Sequence, residues 1–262
     1  MKISILQLDV KVCKLEENYI NVKNMIARAS EEKADIVCLP EMWNIGFLPI
    51  KCLDDYCDGD GRIIKNMFRS LAIQNNVNIV AGSVANKRLN NKYNTSFIFD
   101  RKGDCLAEYD KIHLFSSMNE NKAFESGNKI ITFELDGIKC GIIICYDLRF
   151  VELSRKLALE GIKILFVVAQ WPKERITQWE ILNRARAIEN QIYVVAANGC
   201  GKYSDIKYGG NSLIISPVGE ILAKGKTKED IISFDINIDE VDLVRSKINV
   251  FGDRKEELYY NS

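Results

Sequence analysis

Three features of the sequence predict a single-domain α/β protein. Short runs rich in Ile and Val alternate with amphipathic stretches of helical length. No Pro/Ser-rich hinge, low-complexity stretch or block of like charge interrupts the 262 residues, so one domain is expected over 1–262. The strand-helix-strand layout of residues 3–39 is echoed by residues 140–168, without sequence identity. Two such halves packed sheet on sheet, with helices outside, make a four-layer α-β-β-α sandwich.

The elements follow in order. Residues 3–8 read as the first strand and 18–30 as a helix burying Ile20, Val22, Met25, Ile26 and Ala29. Residues 34–39 form a buried strand stopped by Pro40. A helix at 63–75 leads to a strand at 78–83. Strands at 96–100 and 105–109 flank Arg101-Lys102-Gly103-Asp104, a hairpin turn. Residues 140–145 are almost continuously apolar, as a strand covered on both faces is. The helix at 150–160 is closed by Gly161 in the left-handed conformation. A strand at 164–169, a helix at 174–190 and strands at 192–196 and 211–216 follow. Ser216-Pro217-Val218-Gly219 turns the chain into 220–223, and 231–236 is the last strand.

Composition excludes several function classes. Lys plus Arg and Asp plus Glu both number 36, so the formal net charge is zero. A zero balance argues against nucleic acid or an anionic membrane as the main partner. The longest apolar stretch, residues 164–169, is far too short to span a bilayer. Asp9 and Lys11 leave no room for a signal-peptide core, which predicts a cytoplasmic protein. Eight cysteines are too dilute for a disulfide scaffold and are expected to stay reduced. Cys52 and Cys57, like Cys140 and Cys145, are spaced too widely for a tight metal motif. Neither a metal nor another cofactor is expected. His113 is the single histidine, so a Ser-His-Asp or Cys-His hydrolase must find its base there or do without.

Three places put a polar or reactive residue after a buried strand, where ligands collect in open α/β sheets. Glu41 follows the strand at 34–39 and Pro40, and is followed by Met42 and Trp43. It is either a partly desolvated carboxylate with a raised pKa or a solvated loop acid. Cys145 joins an apolar strand to a helix start, where backbone N–H groups can bind an oxyanion. The competing reading is another core cysteine, which suits Cys38 and Cys140 better because both lie within strands. Lys111 follows the strand at 105–109 and precedes Ile112-His113-Leu114-Phe115. By composition alone it is an ordinary surface lysine.

Glu41 in Leu-Pro-Glu-Met-Trp, Lys111 in Lys-Ile-His-Leu-Phe and Cys145 in Ile-Cys-Tyr-Asp-Leu-Arg-Phe resemble the Glu-Lys-Cys motifs of the nitrilase, or carbon–nitrogen hydrolase, superfamily. They occur in that family's order, and the similarity runs from residues 3–8 through 183–191 to 253–254. The family's second glutamate matches Glu120, seven residues before Gly127. The resemblance implies the same α-β-β-α sandwich. It also implies a homodimer in which the tail, residues 244–262, helps cover the partner. The implied reaction is amide hydrolysis through a Cys145 thioester. Glu41 acts as base and acid, while Lys111 and the Tyr146 N–H hold the oxyanion. Proton transfer from a free thiol to a free glutamate is uphill by about 5–6 kcal/mol. Desolvation of Glu41 and a Lys111 field that lowers the Cys145 pKa are expected to close the gap, with a negative Glu120 offsetting part of that field. His113 is then a partly buried structural imidazole.

Trp43, Phe115, Trp171 and Pro172 line either the pocket or the core. Arg149 holds a substrate carboxylate or pairs with Asp147 or Glu152. Arg175, Arg184 and Arg186 on the helix at 174–190 are most simply surface charges, and are second candidates for that carboxylate. Gln170-Trp171-Pro172, with Arg175, Trp179 and the run at 184–191, is most similar to the omega-amidase branch, whose substrates are 2-oxoglutaramate and related dicarboxylate monoamides. The expected partners are a small amide and water. An N-carbamoyl or other aliphatic amidase is the alternative. A nitrile hydrolase fits less well, because nitrilases typically carry Trp-Glu where Tyr146-Asp147 follows Cys145. A non-catalytic binding module is a distant reading. No phosphate loop or dinucleotide fingerprint supports it, and all three triad residues are present.

Overall fold

In the computed structural model, which describes residues 1–48 and 50–259, alternate residues of single strands face different layers. Ile164, Phe166 and Val168 enter one apolar cluster, while Leu165, Val167 and Ala169 enter another. Ile36 and Cys38 share the first cluster, whereas Val37 and Leu39 point into a third. The period of two in these strands therefore separates a central core from two outer ones.

Among the described residues the central core lies between an eight-stranded and a six-stranded sheet. The larger sheet runs in the order Asp230–Asp235, Lys2–Gln7, Ile36–Cys38, Asn78–Val80, Asn91–Phe99, Val84–Arg88 and Asp58–Gly59, and Cys105–Asp110 also pairs with Asn91–Phe99. The smaller runs Ile221–Lys224, Leu213–Ile215, Tyr193–Asn198, Ile164–Ala169, Ile138–Ile144 and Thr132–Leu135. Helices Leu15–Glu31 and Arg62–Asn75 cover the first sheet through Val22, Met25, Ile26, Ile64 and Phe68. Helices Val151–Leu159 and Ile176–Asn190 cover the second through Leu153, Leu157, Trp179 and Ala187. The result is the predicted four-layer α-β-β-α sandwich. Each half is built on a parallel pair with a helix between, Lys2–Gln7 with Ile36–Cys38 and Ile138–Ile144 with Ile164–Ala169.

The structure corrects several local expectations. Ile20 is 58% exposed, because the inward stripe of its helix runs through Asn18, Val22, Met25, Ile26 and Ala29 instead. The strand expected at 96–100 begins at Asn91, and Val84–Arg88 pairs with its polar first half. Helices Ile50–Tyr56, Asp239–Lys247 and Glu256–Tyr259 were not anticipated. Cys13 and Cys52 form a disulfide rather than staying reduced, since the loop before helix Leu15–Glu31 folds against the apolar cluster of Met42, Ile45, Phe47 and Leu53. Among the described residues, no helix is long and apolar enough to cross a membrane.

Candidate active site

Four strands deliver their following residues to one place. Ile36–Cys38 leads to Glu41, Cys105–Asp110 to Lys111, Ile138–Ile144 to Cys145, and Ile164–Ala169 to Gln170. The first two belong to the larger sheet and the last two to the smaller. The carboxyl ends of both sheets thus converge.

Glu41, Lys111 and Glu120 are completely buried. The Lys111 Nζ lies 2.9 Å from Glu41 Oε1 and 2.9 Å from both oxygens of Glu120. Asn94 Nδ2 donates to Glu41 Oε1 at 2.9 Å and to Glu120 Oε1 at 3.2 Å. The Gln170 N–H donates to Glu41 Oε2 at 2.9 Å, and the Phe115 N–H to Glu120 Oε2 at 2.7 Å. Each carboxylate is therefore held by both the ammonium and neutral donors, which is what makes a buried charge tolerable. Burial works to discharge Lys111, but the Glu41 and Glu120 charges outweigh it and raise its pKa. Burial lifts the Glu120 carboxyl above its ordinary value, against the charge of Lys111.

Cys145 stands at φ +49°, in the left-handed region, at the first residue of the tight turn Cys145–Arg149. That conformation costs on the order of 1 kcal/mol or more for a non-glycine residue. Asp147 secures it by accepting from the Ile144 N–H at 3.0 Å. The half-buried Cys145 thiol lies within the field of Glu41, Lys111 and Glu120. Burial, then the Glu41 charge, push this thiol well above its usual value, and the Lys111 charge only partly opposes them. Lys111 does lower it, as expected, but burial and the charge of Glu41 outweigh that effect. The resting centre therefore holds a neutral thiol beside an ammonium bound to two carboxyl groups.

A cavity of about 420 Å³ opens on Cys145 and Tyr146. Its walls include Phe47, Phe115, Trp171, Pro172 and Tyr208, with Arg149 and Arg175 as its cations. Phe115, Trp171, Tyr146 and Arg149 are thus brought to the site as expected. Trp43 is not. It points the other way from its turn into the outer core, donates Nε1–H to Ala81 O at 2.8 Å and meets Phe68 edge-on. Arg149 pairs with neither Asp147 nor Glu152; it donates to Gln178 Oε1 at 2.6 Å and lies over the Trp171 ring. Asp147 is taken instead by Tyr109, Ile144 and His113. The His113 ring stacks on Phe150 with centroids 3.6 Å apart, as a structural imidazole does. Arg186 is no surface charge: it is buried, binding Leu148 O and Glu189.

Asn94 and Tyr208 were missed, and Gln170 was read only as part of the Gln170-Trp171-Pro172 segment. Gln170 carried the same signal as Glu41, a polar residue directly after an apolar strand. Asn94 sits in a polar stretch and carried none. The Tyr208 hydroxyl is buried without a hydrogen-bond partner.

Known proteins share this arrangement of the chain. The carbon-nitrogen hydrolase family model matches residues 2–246. The 2-oxoglutaramate amidase of Bacillus subtilis (strain 168) is 41% identical over 257 residues, covering 98% of each chain. The omega-amidase NIT2 of Homo sapiens is 30% identical over 98% of this chain and 96% of its own. Saccharomyces cerevisiae Nit3, a member of branch 10 of the nitrilase superfamily, superposes with a TM-score of 0.91 at 24% identity, over 97% of this chain and 96% of that one. Matched along nearly its whole length by a family model and by full-length relatives, this chain belongs to the carbon–nitrogen hydrolase family.

Proposed function

We propose that the protein hydrolyses the terminal amide of a small dicarboxylate monoamide, of the 2-oxoglutaramate type, to the acid and ammonia through a thioester on Cys145. The observation that carries the proposal is the buried Glu41–Lys111–Glu120 cluster behind Cys145, which lies in the wall of a cavity lined by two arginines. The names of two relatives, the 2-oxoglutaramate amidase and the omega-amidase, support the substrate class.

Glu41 takes the thiol proton as the sulfur attacks the amide carbon, so a free thiolate need not accumulate. All three Lys111 hydrogens are engaged by carboxylate oxygens at rest. Once Glu41 is protonated it holds the ammonium less tightly, which turns one donor toward the forming oxyanion. The Tyr146 N–H completes the oxyanion site. Glu41 then protonates the departing ammonia and activates the water that cleaves the thioester. Glu120, fixed by Phe115 and Asn94, keeps Lys111 in place through both steps.

The test is ammonia release from 2-oxoglutaramate, succinamate, glutamine, N-carbamoyl amino acids and simple nitriles at equal concentration. The proposal expects the dicarboxylate monoamides to lead. A preference for carbamoyl compounds would make the protein an N-carbamoyl amidase, and a preference for nitriles would end the amidase reading. The same reading takes the protein as cytoplasmic and homodimeric. Exposed Ile181 and Ile188, seven residues apart on helix Ile176–Asn190, and Val218 beside them support an interface on the outer helical layer. The tail is taken to help cover the partner; its residues 260–262 lie outside the described residues. Light scattering before and after Ile188→Glu tests the dimer, which the charge should split.

A further inference from the structure

Two guanidinium groups, Arg149 and Arg175, line the cavity that ends on Cys145. A monoanionic substrate satisfies one of them, so the surroundings of the other bear on what else the ligand presents. Arg175 ends the short turn Lys173–Arg175 that follows Gln170, Trp171 and Pro172. Its backbone is held twice: its N–H donates to Pro172 O at 3.1 Å, and its carbonyl accepts from Trp171 Nε1 at 2.9 Å. Its guanidinium lies over the Phe115 ring, 5.4 Å from the centroid. Phe115 packs in turn against Tyr146, the neighbour of Cys145, with centroids 4.9 Å apart. Arg149 is exposed and stacks on Trp171 toward Gln178. Among the described residues no carboxylate oxygen lies within 4.0 Å of either guanidinium, although Glu174 and Asp205 line the same cavity. A guanidinium held over a ring, with no carboxylate on it, keeps N–H donors for a third group.

We infer that Arg175 is a specificity-determining residue that binds the oxygen on the carbon next to the substrate's carboxylate, while Arg149 binds the carboxylate itself. The pocket then selects 2-oxo acid monoamides over the same chains carrying a methylene at that carbon. This inference rests on the amidase reading of the Cys145 centre. A plain chain would leave the half-buried Arg175 facing CH₂, with its donors unmatched, and a site built to bond an oxygen rejects the analogue lacking it.

The experiment compares kcat/KM for 2-oxoglutaramate and glutaramate, which differ only in that oxygen, in wild type, Arg175→Gln and Arg175→Lys. Wild type should prefer the 2-oxo compound by about tenfold or more, the worth of a charge-assisted hydrogen bond. Arg175→Gln should bring the two within about twofold, through a loss that falls mainly on the 2-oxo compound. Arg175→Lys, which keeps the charge without the planar fork, should retain part of the preference. An unchanged ratio in both variants, equal loss on both substrates, or no preference in wild type overturns the assignment. Absence of ammonia from every dicarboxylate monoamide with wild type would instead defeat the amidase reading beneath it.

Discussion

Tyr109 donates its hydroxyl hydrogen to Asp147 across 2.7 Å, tying the strand that leads to Lys111 to the turn that begins at Cys145. Asp147 is wholly buried and also accepts from the Ile144 N–H at 3.0 Å and the His113 N–H at 2.8 Å. One carboxylate therefore sets the spacing between nucleophile and ammonium without touching either.

Tyr109→Phe removes only that hydroxyl and leaves a buried carboxylate one donor short. It is expected to lower stability by about 1–3 kcal/mol. Because the Lys111–Cys145 spacing loosens while the cavity walls stay, kcat should fall more than KM rises. Urea unfolding and steady-state kinetics on one preparation check both; a variant equal to wild type in each would remove Asp147 from this role.

Cys145→Ala is expected to abolish turnover with the fold intact, and loss of activity under iodoacetamide should track alkylation of this thiol. Glu41→Gln should lose most activity, since its carboxylate binds Lys111 and acts on the thiol. His113→Asn should keep a substantial part, because the ring only stacks on Phe150 and contacts Asp147. The reverse pattern, with His113 indispensable, would point to a Cys-His pair.

The raised Cys145 pKa has a signed consequence. In the folded protein the thiol keeps its proton above the ordinary value of 9.0, whereas the unfolded chain loses it there. Stability from this group is complete below 9.0 and declines as pH rises from 9.0 through the folded value. The rate of iodoacetamide inactivation should accordingly keep climbing past pH 9.0. A plateau near neutrality would mean a thiolate at rest.

The Cys13–Cys52 disulfide closes a loop across 39 positions, so reducing it should cost about 4 kcal/mol in the chain-entropy account. Denaturation midpoints with and without dithiothreitol measure this. Alkylation of unreduced, unfolded protein should mark Cys38, Cys57, Cys105, Cys140, Cys145 and Cys200 and spare the pair. Labelling of all eight would show that the bond does not form, as in a reducing cytoplasm.

Much of the fold was legible because burial on both faces leaves an unbroken apolar signature, as in residues 140–144 and 164–169. Glu41 and Cys145 were legible as polar residues ending such runs. Lys111 was visible only through resemblance, for its burial depends on Glu41 and Glu120, which lie 70 and 9 residues away. Trp43 misled because nearness to Glu41 on a turn does not fix direction: Glu41 enters the site, and Trp43, two residues on, enters the outer core. Arg149 and Asp147 looked like a local pair, yet Asp147 faces inward to Tyr109 while Arg149 faces the cavity. Contacts such as Cys13 with Cys52 depend on how distant loops meet, and no local pattern records that.

The strand Asp230–Asp235 returns to pair with Lys2–Gln7, and the Ile236 N–H closes on Met1 O at 2.9 Å. During synthesis the first strand therefore waits, with one edge open, until residues 230–235 have left the ribosome. Glu41, Lys111 and Cys145 emerge long before that edge is sealed. The nascent chain thus carries all three reactive groups from residue 145 to residue 230 before the sheet that supports Glu41 is closed. A truncation that stops short of residue 230 should yield an unpaired edge prone to aggregation rather than a weak enzyme.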